Sequence, residues 1–122
     1  MGRQDSLSTY AEGWTKGDAA TILSAVADGY QLDDPNAGKI PNVEFRQYFG
    51  KLQDTVDSLR GGVPQAKFMA ITEVVAKEED DMTTAWCWWA IPGTSIQGSG
   101  LIKVGDQGVL SERLTYYTRL LG

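Results

Sequence analysis

Residues 82–119 read MTTAWCWWAIPGTSIQGSGLIKVGDQGVLSERLTYYTR, and this stretch decides the fold. Met82 to Ile91 is a β-branched and aromatic run holding three of the four tryptophans. Pro92-Gly93 breaks it and Ser95 to Val104 resumes it. Gly105-Asp106-Gln107-Gly108 has the composition of a hairpin turn, and a last strand follows from Val109 to about Arg119. Upstream, residues 67–77 are also β-rich and run into the acidic turn Glu78-Glu79-Asp80-Asp81. The second half of the chain therefore predicts consecutive antiparallel strands.

The first two-fifths has a different period. Leu7, Tyr10, Ala11 and Trp14 recur at helical spacing, and Gly17 ends that helix. Asp18 suits an N-cap for a second apolar stripe of Ala19, Ile22, Leu23, Val26 and Ala27, ended by Gly29. A short strand from Tyr30 to Asp34 stops at Pro35, and Asn36-Ala37-Gly38 reads as a turn. Pro41 and Asn42 open a third helix with Phe45, Tyr48, Phe49, Leu52, Val56 and Leu59 inward, closed by Gly61-Gly62. Helices first and antiparallel strands after them predict one α+β domain over residues 1–122, its long helix crossing the concave face of a curved sheet. Such a cone has a closed back, an open mouth and an apolar pocket.

Composition narrows the chemistry. The chain carries a net charge of −5, so a phosphate backbone is repelled and nucleic acid is not the expected partner. No apolar run approaches the length of a membrane span, and the N-terminus lacks the charged-then-apolar pattern of a secretory signal; the expected address is cytoplasmic. There is no histidine and one cysteine, Cys87, in an apolar strand. Histidine-dependent triads are excluded, and a zinc site is not expected. Acid–base work has to run on carboxylates, phenols, lysines or water.

Three groups are the candidate catalytic residues. Asp34 ends a strand, which would aim its carboxylate into an aromatic-lined cavity where it acts as a general base; the plainer reading is an aspartate opening a solvated Asp-Pro turn. Tyr10 shares the inward stripe with Leu7 and Trp14, and a buried phenol needs a hydrogen-bond partner, in the protein or on a ligand. Glu112 falls on the more apolar face of the last strand with Leu110, Leu114 and Tyr116, unless a bulge reverses the parity. A carboxylate among Leu and Tyr is costly unless paired, protonated or functional.

The pocket wall is expected from Trp14, Tyr48, Phe49, Leu114 and Tyr116. Period-two alternation divides the tryptophan strand into Thr84, Trp86 and Trp88 on one face and Cys87 with Trp89 on the other. We assign Thr84, Trp86 and Trp88 to the pocket, with Met82 nearby, and the opposite face to a partner subunit. Glu78 to Asp81 lacks the ligand spacing of a calcium loop, and Gly98-Ser99-Gly100 lies within a strand, unlike a phosphate cradle.

Three motifs carry a resemblance. The opening Tyr10-Ala-Glu-Gly-Trp-Thr-Lys-Gly-Asp18, the strand end Asp33-Asp34-Pro35 and the terminal Gly108-Val-Leu-Ser-Glu-Arg-Leu-Thr-Tyr-Tyr117 resemble the nuclear-transport-factor-2-like (NTF2-like, cystatin-like) superfamily. That superfamily includes ketosteroid isomerases, SnoaL-like polyketide cyclases, scytalone dehydratase and limonene epoxide hydrolase. The spacing is most similar to ketosteroid isomerase, in which a first-helix tyrosine and an aspartate before a proline serve as oxyanion donor and base; Tyr10 and Asp34 match those positions. The isomerase's second oxyanion donor, an aspartic acid on the penultimate strand, is unmatched: Ser99 stands near that place.

The resemblance implies an isomerase or cyclase that takes a proton alpha to a carbonyl of a small apolar ligand. On it Asp34 would be the base and Tyr10 would hold the enolate oxygen; Glu112, picked out by strand parity alone, or Ser99 would assist. It implies neither metal nor organic cofactor, and a homodimer formed through the sheets. The alternatives are a non-catalytic ligand-binding or assembly module using the same pocket, and a carboxylate-based epoxide hydrolase. The latter lacks a confident arginine.

Overall fold

The computed structural model describes residues 2–117. Helix α1 (Arg3–Lys16) ends where Gly17 turns left-handed at φ 74°, and the Asp18 amide donates back to the carbonyl of Gly13 at 2.9 Å. Asp18 then caps α2 (Ala19–Ser24), accepting from the amides of Ala20 and Thr21. Strand β1 (Val26–Asp34) turns through residues 35–37 into a short β2 (Gly38–Pro41). A 3₁₀ turn, Asn42–Glu44, leads into α3 (Phe45–Arg60). Four strands complete the chain: β3 (Ala70–Glu78), β4 (Thr83–Ala90), β5 (Gln97–Gly105) and β6 (Gly108–Tyr116).

The helices pack on a curved, unclosed six-stranded mixed sheet ordered β2-β1-β6-β5-β4-β3. Every neighbouring pair is antiparallel except β1 with β6, which run parallel. The α+β cone expected from the sequence is present, with three local differences. The second helix stops at Ser24, because Ala25 gives its carbonyl to the Val109 amide and Val26 pairs with Val109 in the sheet. Pairing across the chain thus overrides the helical stripe through Ala27. Residues 38–41, beyond the expected turn, add β2. Leu59, expected inward, is exposed in the last turn of α3.

Cross-strand register sets the faces. Trp89 pairs with Gly98, Gly98 with Tyr116, Cys87 with Gly100, and Gly100 with Leu114, so these residues point inward together. Trp88 pairs with Ser99 and Ser99 with Thr115, on the outer face. A bulge lies at Leu110, where the pairing steps from Val104–Val109 to Lys103–Ser111. It lets Val109 and Glu112, three apart, both be buried. Parity from Glu112 onward is as read from the sequence.

The two glycines of Gly98-Ser99-Gly100 have separate reasons to exist. A Cβ at Gly98 would stand 2.8 Å from Cζ2 of Trp89 and closer still to the Thr115 carbonyl oxygen. A Cβ at Gly100 would collide with Oε2 of Glu112. Gly98→Ala is expected to destabilise the fold by about 2 kcal/mol or more, because one obstruction is sheet backbone that cannot rotate away. Urea unfolding of the variant checks this.

Candidate active site

Asp34 is the last residue of β1 and follows Leu32 on the inner face. It is 4% exposed. Its Oδ1 accepts the amide of Asn36 at 2.9 Å, an Asx turn that fixes the carboxyl before the chain leaves for β2. Its Oδ2 accepts two phenols: Tyr48 from α3 at 2.6 Å and Tyr116 from β6 at 3.0 Å. Burial pushes both phenols above the ordinary tyrosine range, and the adjacent Asp34 charge adds to it, so both stay protonated as donors. The aspartate is thus an enclosed carboxyl held from three elements, not a solvated turn residue.

That carboxyl faces a cavity of about 470 Å³. Trp14, Met69, Trp89, Ile91 and Leu114 form its apolar wall, and Asn36, Thr55, Ser95 and Gln97 supply its more polar border. Asp34 is the one acidic residue lining it among the described residues, and no lysine or arginine does so. A volume of this size fits a small organic molecule.

Glu112 occupies a second compartment. It is 5% exposed, and its Oε1 accepts the Tyr10 hydroxyl at 2.5 Å; Tyr10 in turn shares a 2.6 Å bond with the hydroxyl of Tyr30. Burial pushes the Glu112 carboxyl up to about 7, with the Tyr10 hydrogen bond acting in the opposite direction. Tyr10 and Tyr30 are raised well above the usual phenol range, first by burial and then by the Glu112 charge. Cys87, on the same face, is pushed up to about 12 by burial and is no nucleophile. The void beside this cluster is about 30 Å³, space on the scale of bound water and not of a substrate.

Trp14, Met69 and Trp89 line both voids and form the partition between them. Of the expected site residues, the large cavity brings together Asp34, Trp14, Tyr48, Leu114 and Tyr116. Tyr10 and Glu112 meet each other, on the far side of the partition from Asp34.

The remaining expectations are corrected by packing and register. Phe49 is enclosed between Trp14, Phe45 and Phe68 and does not line the cavity. Trp86 and Trp88, 38% and 39% exposed, stand on the outer face with Thr84, since their partners Leu101, Ser99 and Lys103 point that way. Ser99 is buried on that outer face with its hydroxyl 2.6 Å from that of Thr115. Met82 sits in the turn before β4 and lines neither void. Sequence reasoning passed over Trp89, whose parity was legible but whose face was not, and Met69, which no local signal marks.

No protein-family model matches the chain, and no curated protein matches it. Solved structures do. An NTF2-like protein of unknown function from Pseudomonas putida KT2440 aligns at TM-score 0.69 and 9% identity, covering 97% of this chain and 86% of that one. A cystatin-like fold protein of unknown function from Nostoc punctiforme aligns at TM-score 0.61 and 15% identity over 97% and 90%. A candidate ketosteroid isomerase from Parabacteroides distasonis aligns at TM-score 0.66 and 14% identity over 93% and 86%. The chain has the NTF2-like, cystatin-like fold. At these identities the likeness is one of fold, and function has to be argued from the site.

The Glu112 cluster makes stability depend on pH. Its folded carboxyl lies at about 7 against an ordinary 4.5, so the folded state binds a proton more tightly than the unfolded chain. That stabilisation is full below about 4.5 and is lost as pH rises through about 7. At about 1.4 kcal/mol per tenfold in proton affinity, the loss approaches about 3 kcal/mol. Glu112→Gln is expected to lack this decline, so the gap between variant and wild type shifts toward the variant between pH 5 and 8 in urea unfolding.

Proposed function

We propose that the protein is a cofactor-free enzyme of the ketosteroid-isomerase and SnoaL-like kind, taking a proton alpha to the carbonyl of a small apolar substrate. One observation supports this above the rest: the buried Asp34 carboxylate, uncompensated by any cation among the described residues, faces a cavity of substrate size. Tyr48 and Tyr116 hold its Oδ2 and the Asn36 amide its Oδ1, so its aim is set before a ligand arrives.

The electron count closes without an oxidant or reductant. Asp34 takes the α-proton as the C–H pair moves into a C=C bond and the carbonyl π pair moves onto oxygen. Return of that proton to a different carbon gives an isomer. Attack of the enolate carbon on a second carbonyl gives a ring, and the proton goes to the new alkoxide. Tyr10 takes no part in this reading, because its hydroxyl is engaged with Glu112 and Tyr30 behind the partition.

Asp34→Asn is expected to lower kcat/KM by about 10²–10⁴ on whichever member of a panel of steroid, terpene and polyketide-like ketones the wild type turns over. Unchanged turnover in the variant removes Asp34 as base. A second reading, a non-catalytic ligand-binding module, draws on the separation of Tyr10 from Asp34. Ligand binding without turnover by the wild type selects it. Epoxide hydrolysis by an Asp–Arg–Asp network is the weaker option, since no arginine lines the cavity among the described residues.

The outer face of the sheet supports a homodimer in the same reading. Trp86, Trp88 and Tyr117 stand partly exposed there, Trp88 and Tyr117 with ring centroids 4.9 Å apart. Trp88→Glu is expected to convert a dimer to a monomer in analytical ultracentrifugation. A wild-type monomer at micromolar concentration removes the proposal.

A further inference from the structure

The carboxyl that faces the large cavity has no opposite charge beside it. None of the ion pairs among the described residues involves Asp34, and no lysine or arginine among them lines the cavity. Burial of a charge is costly unless hydrogen bonds or a counter-ion offset it. Hydrogen bonds do so in part. The carboxyl accepts from the Asn36 amide, Tyr48 and Tyr116, and it donates to nothing.

Those bonds decide what the group offers a ligand. Tyr48 and Tyr116 each spend their hydroxyl proton on Oδ2, and the Asn36 side-chain amide lies beside the Tyr116 hydroxyl. Each phenol oxygen keeps lone pairs. A carboxylate has about four acceptor positions, and the fourth here is on Oδ1, which has a single donor. Around Asp34 the cavity therefore presents acceptors and no free hydroxyl proton. A ligand carbonyl finds no partner in such a group, and a ligand hydroxyl answers it once. A primary ammonium has three N–H donors, no lone pair and the charge that Asp34 lacks. Trp14, Tyr48, Trp89 and Tyr116 make the same cavity aromatic, a lining that suits an organic cation. The net charge of −5 attracts cations and repels anions at long range.

We propose that the Asp34 cavity is a binding site for a small amine in its protonated form, carried on an apolar skeleton. The ammonium donates to Asp34 and to the phenol oxygens beside it, and the skeleton lies against Trp14, Met69, Ile91 and Leu114. Anionic ligands of the same shape are turned away. The inference goes beyond the proposed reaction and does not depend on it. An amine seated there would occupy the base and act as a competitive inhibitor of any turnover.

The test is calorimetric titration with three probes of one shape: 1-adamantylmethylamine, 1-adamantylmethanol and adamantane-1-carboxylate. At about pH 7 the first is fully protonated. It is expected to bind at least about tenfold more tightly than the alcohol, as fits charge-assisted hydrogen bonds replacing a neutral one, and the carboxylate not to bind. Asp34→Asn should bring the amine and the alcohol to within about twofold of each other, with the alcohol changed little. Attraction to the acidic surface alone would be screened by about 0.5 M salt and would survive in Asp34→Asn.

The inference is overturned if the amine does not bind, if the alcohol binds as tightly, or if the preference persists in Asp34→Asn. It is also overturned if the preference disappears in high salt. The salt series on wild type decides the matter even if Asp34→Asn fails to fold. Amine binding with no ketone turned over would remove the proposed reaction and keep this inference. Turnover without an amine preference would do the reverse.

Discussion

Two carboxylates, Asp34 and Glu112, project from adjacent strands onto the same inner face of the sheet, and neither forms an ion pair among the described residues. Taking such groups out of water is costly, and elsewhere a lysine, arginine or histidine offsets the cost. This chain uses phenols. Tyr48 and Tyr116 solvate Asp34, while Tyr10 and Tyr30 form the network at Glu112, which together occupies four of its five tyrosines. Much of the architecture serves those bonds: α1 and α3 each bring one phenol to the sheet, and β1 and β6 bring the others.

The two clusters are chemically unlike because their surroundings differ. Glu112 is sealed in, with one donor to its Oε1 and a void of about 30 Å³ beside it, and its carboxyl rises to about 7. Asp34 has three donors and a void of about 470 Å³. A group that must meet a substrate needs reach and space, and only Asp34 has them. Glu112, its carboxyl pushed up by burial, is instead expected to make the inner core sensitive to proton concentration. The wall of Trp14, Met69 and Trp89 keeps the two environments apart.

The glycine pair in β5 shows how a motif with no evident chemistry can shape a site. Gly98 clears space for Trp89 and Gly100 for Glu112, while Ser99 between them turns to the outer face and bonds Thr115. A small residue on a strand removes one side chain from one face, and that is enough to admit an indole or a carboxyl from the neighbouring strand. The motif is neither a phosphate cradle nor an oxyanion hole; it is the space beneath two other residues.

By itself the sequence determined the order of the helices and of the longer strands, though not the short β2, because periods of 3.6 and 2 are local properties of the chain. It also marked Asp34 at a strand end before proline, and the inward face shared by Glu112, Leu114 and Tyr116. Only tertiary structure decided which face of β4 is inside, since alternation separates Trp86 and Trp88 from Cys87 and Trp89 without saying which set meets the helices. That choice came from register with β5, where Trp89 lies opposite Gly98. Tertiary structure also decided that Asp34 would be held by Tyr48 and Tyr116, fourteen and eighty-two positions away, and Tyr10 by Glu112. Hydrogen bonds between residues so distant in the chain have no local period, and only the packed helices and sheet bring their partners together.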